Sequence, residues 1–374
     1  MVFKQQILTA SKGYSELDNY FLHNSLKKVL LVCSKFVPKT PIGIYFSTLK
    51  SRLGIDVVTF NDYTPNPLYE SVVEGIRIFN ENKCDSIIAV GGGSAMDVAK
   101  CIKLFSNMDS NINYFKQEII PNDIKLIAVP TTAGTGSEAT KYAVIYYGGT
   151  KQSITHESCI PSTVLFDSSL LETLPEYQRK STMLDALCHA MESYWSVNSN
   201  RESFEYSDSA IRMIIANKDR YLANEDIGNA NMLQAANLAG KAINITQTTA
   251  GHAMSYKITS LCKIPHGYAV ALCVSRLFPY MLRHTDECID PRGKEHLEGV
   301  FDKIAFALGC SSAYEATIMF NQMLDGFELA LPKLDESQFK ELCSSVNVTR
   351  LKNNPICLYS DVINYLYHQI WKKE

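Results

Sequence analysis

The chain has 374 residues, 46% of them apolar and 20% charged, with a formal net charge of −3. That length accommodates two domains and a large core, and the charge balance offers no basic stripe to hold a nucleic acid. No apolar run reaches the roughly 18 residues a membrane span needs, and the opening MVFKQQILTA lacks the apolar core of a signal peptide. Eleven cysteines are scattered without a C-x-x-C pair, a pattern expected of free thiols in a reducing cytoplasm.

Taken in order, residues 1–11 predict an extended arm or edge strand, and 13–24 (GYSELDNYFLHN) a short helix or loop. KKVLLVCS (27–34) is a continuous apolar run of strand length. FSTLKSRLG (46–54) predicts a helix, GIDVVTFND a strand, and PLYESVVEGIRIFNENK (67–83) a helix starting at its proline. CDSIIAVGGGSAMDVAKCIKLFS predicts strand, glycine loop and helix. IKLIAVPTTAGTGSEAT predicts a strand and a second Thr/Gly-rich loop. Buried strands alternating with amphipathic helices predict a parallel, doubly wound α/β sheet, placed here over residues 1–168. From 169 to 374 helical patterns dominate, beginning with LLETLPEYQRKSTMLDALCHAMESYW, and an all-α domain is expected.

Both loops suit a nucleotide. Gly91-Gly92-Gly93-Ser94 lies between a strand and a helix, where backbone N–H groups and the helix N-terminus favour a pyrophosphate. It is neither G-x-G-x-x-G nor a Walker A motif, and a plain tight turn is the alternative. Asp97 reads either as compensation of the helix dipole or as a ribose or nicotinamide contact. The Pro130–Glu138 loop adds hydroxyls at the carboxyl end of the next strand, where open α/β sheets bind ligands; Glu138 is read as a cap without chemistry. Together the loops suggest a nucleotide lying across the cleft between domains.

In the helical half, Asp185 and His189 stand four apart in an apolar helix uninterrupted by Pro or Gly. That step puts both side chains on one face, about 5–6 Å apart at Cβ. A solvated i,i+4 pair has the same spacing. However, His252 opens the apolar stretch HAMSYKITSLC, and His266 sits between Pro265 and Gly267 before YAVALCV. One carboxylate and three imidazoles would form a donor set for Fe(II) or Zn(II) rather than Mg or Ca; three unrelated core histidines are the alternative. Cys188 points off the Asp185/His189 face and reads as core.

GGGSAMDVAK, PTTAGTGSEAT, DALCHAMESYWS and HAMSY…PHG, in this order and spacing, resemble the iron-containing (group III) alcohol dehydrogenases over nearly the whole chain. The resemblance implies an N-terminal Rossmann-like domain, a C-terminal helical domain and NAD(P)H as cofactor. It puts the metal set on Asp185, His189, His252 and His266, and the cofactor loops on Gly91 to Ser94 and on Thr131 and Thr132. It also implies a homodimer, for which the N-terminal arm is a plausible pairing strand. Two positions depart from the family. Where many members carry a further His, this chain has Tyr256, whose pKa near 10 makes it a poor base; a proton relay is the role left to it. Where NAD-preferring members often have an Asp, it has Ser34-Lys35, which tolerates a 2′-phosphate.

Residues 240–258 (GKAINITQTTAGHAMSYKI) and 350–355 (RLKNNP) look like the phosphonoacetaldehyde reductases within that family. Lys241, Asn244, Gln247 and Thr248 make the approach to His252 polar, as a small anionic aldehyde would require; facing solvent is the alternative. The expected reaction is reduction of phosphonoacetaldehyde to 2-hydroxyethylphosphonate by a cytoplasmic enzyme with no nucleic-acid or membrane partner. A general short-chain alcohol or diol dehydrogenase is the principal alternative. A lyase of the dehydroquinate-synthase type, similar in architecture, is a further one.

Overall fold

A computed structural model describes residues 5–327 and 330–372; Met1 to Lys4 of the expected arm lie outside them. The chain packs as two compact units. One comprises Met1–Thr132 with Ser137–Leu174, the other Ala133–Gly136 with Pro175–Glu374.

The first unit is built on a six-stranded sheet. Its strands are β1 (Gln6–Thr9), β2 (Lys28–Cys33), β3 (Asp56–Phe60), β4 (Ser86–Gly91), β5 (Lys125–Pro130) and β8 (Thr163–Phe166), ordered β1-β8-β5-β4-β2-β3. Every pairing is parallel. Strands covered on both faces read as unbroken apolar runs, which is why KVLLVC and SIIAVG are strands without alternation. Val29, Leu31, Ile88, Val90, Ile127 and Val129 share one core with Leu17, Phe21, Ile42 and Phe46 from the helices Ser15–His23 and Pro41–Ser47.

The order reverses between β2 and β4: the chain runs outward from β2 to β3, then returns to the other side of β2. The carboxyl ends at such a switch point form the crevice in which open α/β sheets take ligands. Ser34 and the 91–94 loop leave the sheet there.

Several local expectations need correction. The helix expected over 46–54 is two short ones, Pro41–Ser47 and Leu49–Leu53, joined at Thr48. The next helix starts at Tyr69, after Pro67 and Leu68 rather than on the proline. An antiparallel hairpin, β6 (Tyr142–Tyr147) and β7 (Thr150–Thr155), was not anticipated. Its turn is Gly148-Gly149, both at positive φ (56° and 75°). Gly-Gly between two strand-like runs is a known hairpin signal.

Among the described residues, the named elements of the second unit are all helices. Pro175 precedes its first long helix, Glu176–Trp195, so the LLETL segment expected to be part of it remains a separate turn. Arg201–Leu222, Asp226–Thr246 and His266–Arg283 pack around that helix. The helix Ala250–Cys262 lies against His266–Arg283, and the short helix Val348–Leu351 lies against Ala250–Cys262. All eleven cysteines are free. Among the described residues no helix is long and apolar enough to cross a membrane.

Candidate functional site

In the first unit the two loops lie side by side. Gly92 is the N-cap of the helix Gly93–Phe105, and the Thr131 N–H donates to the Gly91 carbonyl at 3.0 Å. A Cβ at Gly91 would meet the Ala95 Cβ at 2.5 Å and the Ser34 hydroxyl at 3.2 Å; one at Gly92 would meet the Thr132 hydroxyl at 3.3 Å. Bare backbone is therefore what lets Ser34, the helix N-terminus, Thr131 and Thr132 close on one another, leaving amide N–H groups for an anion. Ser94 follows in the first helical turn, and Lys35 is exposed beyond Ser34.

Asp97 lies further along the same helix. Its carboxylate accepts from the Ser137 hydroxyl at 2.9 Å and the Val144 N–H at 3.1 Å, while the buried Lys100 ammonium donates to Ser137, Thr140 and the Tyr142 carbonyl. Burial raises the Asp97 carboxyl above its usual range, against the pull of Lys100. The pair ties the 137–144 segment to the helix. Sequence spacing offered no signal for this, since the partners lie 40 or more residues away.

In the second unit, the helix Glu176–Trp195 presents Asp185 and His189 on one buried face. His252 enters from the first turn of Ala250–Cys262. One ligand atom from each of Asp185, His189 and His252 lies within 4.8 Å of the other two. The His189 and His252 rings stack at 4.4 Å, and His252 Nε2 is 3.6 Å from Asp185 Oδ1. Asp185 Oδ1, His189 Nδ1 and His252 Nε2 are buried and have no hydrogen-bond partner. Orphaned polar atoms at this density cost free energy unless something satisfies them, and one divalent cation would satisfy all three.

His266 opens the helix His266–Arg283 and stays half-buried outside that 4.8 Å group. Its ring is 5.6 Å from His252 and stacks on Tyr256 at 5.5 Å, with Nδ1 3.3 Å from the Thr259 hydroxyl. The fourth expected ligand is thus adjacent to the set rather than within it.

Glu192, which sequence reasoning passed over, completes the arrangement. It is fully buried, and its carboxylate binds His252 Nδ1 while accepting from the Thr249 hydroxyl at 2.8 Å and the His252 N–H at 3.1 Å. Trp195 Nε1 in turn holds Thr249 at 2.9 Å. A carboxylate on one imidazole nitrogen directs the other toward a metal and raises its basicity. The signal was present: residues 185, 189 and 192 follow i, i+4, i+7 on one helix face.

The electrostatics follow from these contacts. Burial alone would raise the Asp185 carboxyl, but the imidazoles of His189, His252 and His266 outweigh it and hold it below the usual range. Burial lowers His189 to about 4, only partly offset by Asp185. Burial also disfavours charge on His252, but Glu192 and Asp185 prevail and lift it to about 9. Burial pushes the Tyr256 hydroxyl above its ordinary value.

The residues of the expected polar approach lie at the end of one helix and just beyond it. Lys241 and Asn244 are half-buried in the last turns of Asp226–Thr246; Gln247, the C-cap, is exposed at φ 61°, ψ 173°. Thr248 is buried, and Arg350 donates to its hydroxyl at 2.6 Å.

The model "Iron-containing alcohol dehydrogenase" matches residues 5–168, and "Fe-containing alcohol dehydrogenase family, C-terminal" matches 180–369. The 1,3-propanediol dehydrogenase of Citrobacter freundii is 34% identical over 69% of this chain and 68% of its own length. The phosphonoacetaldehyde reductase of Streptomyces viridochromogenes is 32% identical over 66% of each. A longer relative, aldehyde-alcohol dehydrogenase 2 of Entamoeba histolytica, is 30% identical over 70% of this chain, but the match spans only 32% of that protein. The crystal structure of sulfoacetaldehyde reductase from Bifidobacterium kashiwanohense in complex with NAD+ superposes with a TM-score of 0.86 over all of both chains, at 24% identity.

Proposed function

The chain belongs to the iron-containing alcohol dehydrogenase family, and from that premise we propose that it reduces a small aldehyde to a primary alcohol with NAD(P)H at a divalent metal ion. The observation that carries this is the convergence of unpartnered donor atoms of Asp185, His189 and His252 within 4.8 Å. His266 is the proposed fourth ligand. An Fe(II) or Zn(II) ion held there would supply Lewis-acid polarisation of a carbonyl, and a nicotinamide would supply hydride. Glu192, in contact with His252 Nδ1, would leave Nε2 to hold such an ion. Gly91 to Ser94, Thr131 and Thr132 would hold the cofactor phosphates, with Ser34 and Lys35 near the adenosine end. Tyr256, whose ordinary pKa near 10 is pushed further up by burial, is the proposed proton relay.

For the substrate we propose phosphonoacetaldehyde, giving 2-hydroxyethylphosphonate. The polar Lys241, Asn244, Gln247 and Thr248 support an anionic aldehyde, as does the 32% identity to a phosphonoacetaldehyde reductase. The 34% identity to a 1,3-propanediol dehydrogenase favours a neutral diol or short-chain alcohol as the second reading. A homodimer paired through edge strand β1 is the proposed assembly.

The deciding experiment measures NAD(P)H oxidation by the metal-loaded protein with phosphonoacetaldehyde, acetaldehyde and lactaldehyde. A kcat/KM highest for phosphonoacetaldehyde is expected; equal or better use of the neutral aldehydes moves the assignment to the second reading. His266→Ala should lose bound metal and turnover together, and full turnover by a metal-free His266→Ala protein would refute the metal centre.

A further inference from the structure

Arg350 sits in the short helix Val348–Leu351, packed on the helix that carries His252. The sequence gives no hint of its neighbours, which lie about a hundred residues earlier. One guanidinium nitrogen, Nη1, donates to the Thr248 hydroxyl at 2.6 Å, and its carbon lies 5.6 Å from the Tyr256 ring centre. That ring stacks on His266 at 5.5 Å, and His266 is 5.6 Å from His252. A single aromatic ring therefore separates the guanidinium from the imidazoles of the proposed metal set.

Three observations distinguish Arg350 from an ordinary surface arginine. First, it is half-buried yet forms no ion pair: among the described residues no carboxylate oxygen comes within 4.0 Å of it. Buried Arg179 and half-buried Arg276 also lack a carboxylate, but each gives two or more hydrogen bonds: Arg179 to Asn229, Asn224 and the Tyr221 carbonyl, Arg276 to the Gln369 carbonyl and Asn321. Second, a guanidinium has five N–H donors in a planar fork, and among the described residues only the Thr248 hydroxyl takes one. Third, its partner is held in place at a cost. Gln247 adopts φ 61°, ψ 173°, a region nearly reserved for glycine. Asn353 braces that turn, donating to Gln247 Oε1 at 3.3 Å and to the Thr248 carbonyl at 3.1 Å, and is itself held by Asn198 at 3.0 Å. A strained turn braced from the Arg350 segment fixes the orientation of the Arg350 fork.

We propose that Arg350 is the specificity-determining residue for this site, anchoring the oxyanion group at the far end of the aldehyde through the donors Thr248 leaves open. This rests on the reading of the site as a metal-dependent aldehyde reductase. The recognised chemistry is a tetrahedral oxyanion, phosphonate or sulfonate, on a short aldehyde. Thr248 and Asn353 are positioning residues that hold the fork, and Tyr256 forms the wall between it and the metal ligands. No covalent step is assigned to any of them.

The test uses the full chain loaded with its metal, as wild type, Arg350→Gln and Arg350→Lys. The readout is the ratio of kcat/KM for phosphonoacetaldehyde to that for propionaldehyde, with sulfoacetaldehyde as a second anionic arm. Loss of a charge-assisted, forked contact should lower that ratio about 100-fold in Arg350→Gln, mainly through KM, and about 10-fold in Arg350→Lys, which keeps the charge but not the fork. The arm with the larger loss identifies the oxyanion. An unchanged ratio in both variants overturns the proposal, as does an equal loss on charged and neutral aldehydes, which would make Arg350 a structural staple. Calorimetry with ethylphosphonate separates this outcome from failure of the reductase reading. Binding by the wild type that weakens at least tenfold in Arg350→Gln upholds the anchor even if no anionic aldehyde is reduced. No binding by the wild type overturns it.

Discussion

Glu192 shows how much one side chain contributes to the candidate centre without being a ligand. It is a fully buried carboxylate whose charged partner is an imidazole, and its two oxygens meet the ring Nδ1 and the backbone N–H of His252. Breaking a buried charged pair by removing one partner is costly, and here the expense would fall on metal affinity. Glu192→Gln keeps the shape but exchanges a full charge for an amide dipole. Metal affinity, measured by competition with a chelator, should fall about 10- to 100-fold, as for other partners of ligating histidines. Unchanged affinity would mean that His252 is oriented by packing alone. At this scale the sequence was informative where the relation is local. Asp185 and His189 follow from one helical step, and Glu192 extends the same face. The hydrogen bonds of Asp97 to Ser137 and Val144 were not legible, because those partners belong to a different part of the chain. The Arg350 contact with Thr248 joins residues 102 apart, and no periodicity encodes it.

At the scale of elements, the site depends on how closely helices approach. Gly267 lies one residue after His266, and a Cβ there would fall 2.0 Å from the Ser181 carbonyl oxygen and 2.7 Å from the Asp185 Cβ. Both obstacles belong to the helix Glu176–Trp195, and one of them is backbone that no rotamer change can move aside. Gly251 similarly clears the way to Glu192, whose Oε1 would be 2.6 Å from an added Cβ. Gly267→Ala should therefore part the two helices, costing about 1–3 kcal/mol or more in stability, with a loss of bound metal alongside the drop in Tm. A melting curve and a metal content matching the wild type would show that the contact relaxes without consequence. The helices themselves were legible from apolar periodicity, and the glycines from the sequence text. What periodicity cannot supply is which helix faces which, so Gly267 read only as part of a turn signal.

At the scale of the molecule, the two compact units imply separable responses to ligands. A cation held by the proposed set of Asp185, His189, His252 and His266 would stabilise only the conformation that brings those residues to it, by an amount set by its concentration relative to Kd. Hydrogen exchange should thus quicken on chelation in the helices Glu176–Trp195, Ala250–Cys262 and His266–Arg283, with β4 and β5 little changed. NADPH or NADH should instead slow exchange at residues 91–94 and 131–132. Chelation that loosened the sheet as much as the helices would argue against this division of labour. By itself the sequence determined the α/β-then-helical order, the strand–glycine loop–helix unit at 86–105 and the shared helix face of Asp185 and His189. These depend on local periodicity, turn chemistry and residue identity, which act over a few residues. Only the tertiary structure decided that β2 and β4 form the switch point, that Glu192 secures His252, that Asp97 is committed to Ser137, and that Arg350 meets Thr248. Such pairings bring together segments far apart in the chain, and they are chosen by packing the whole core at once rather than by any stretch of it.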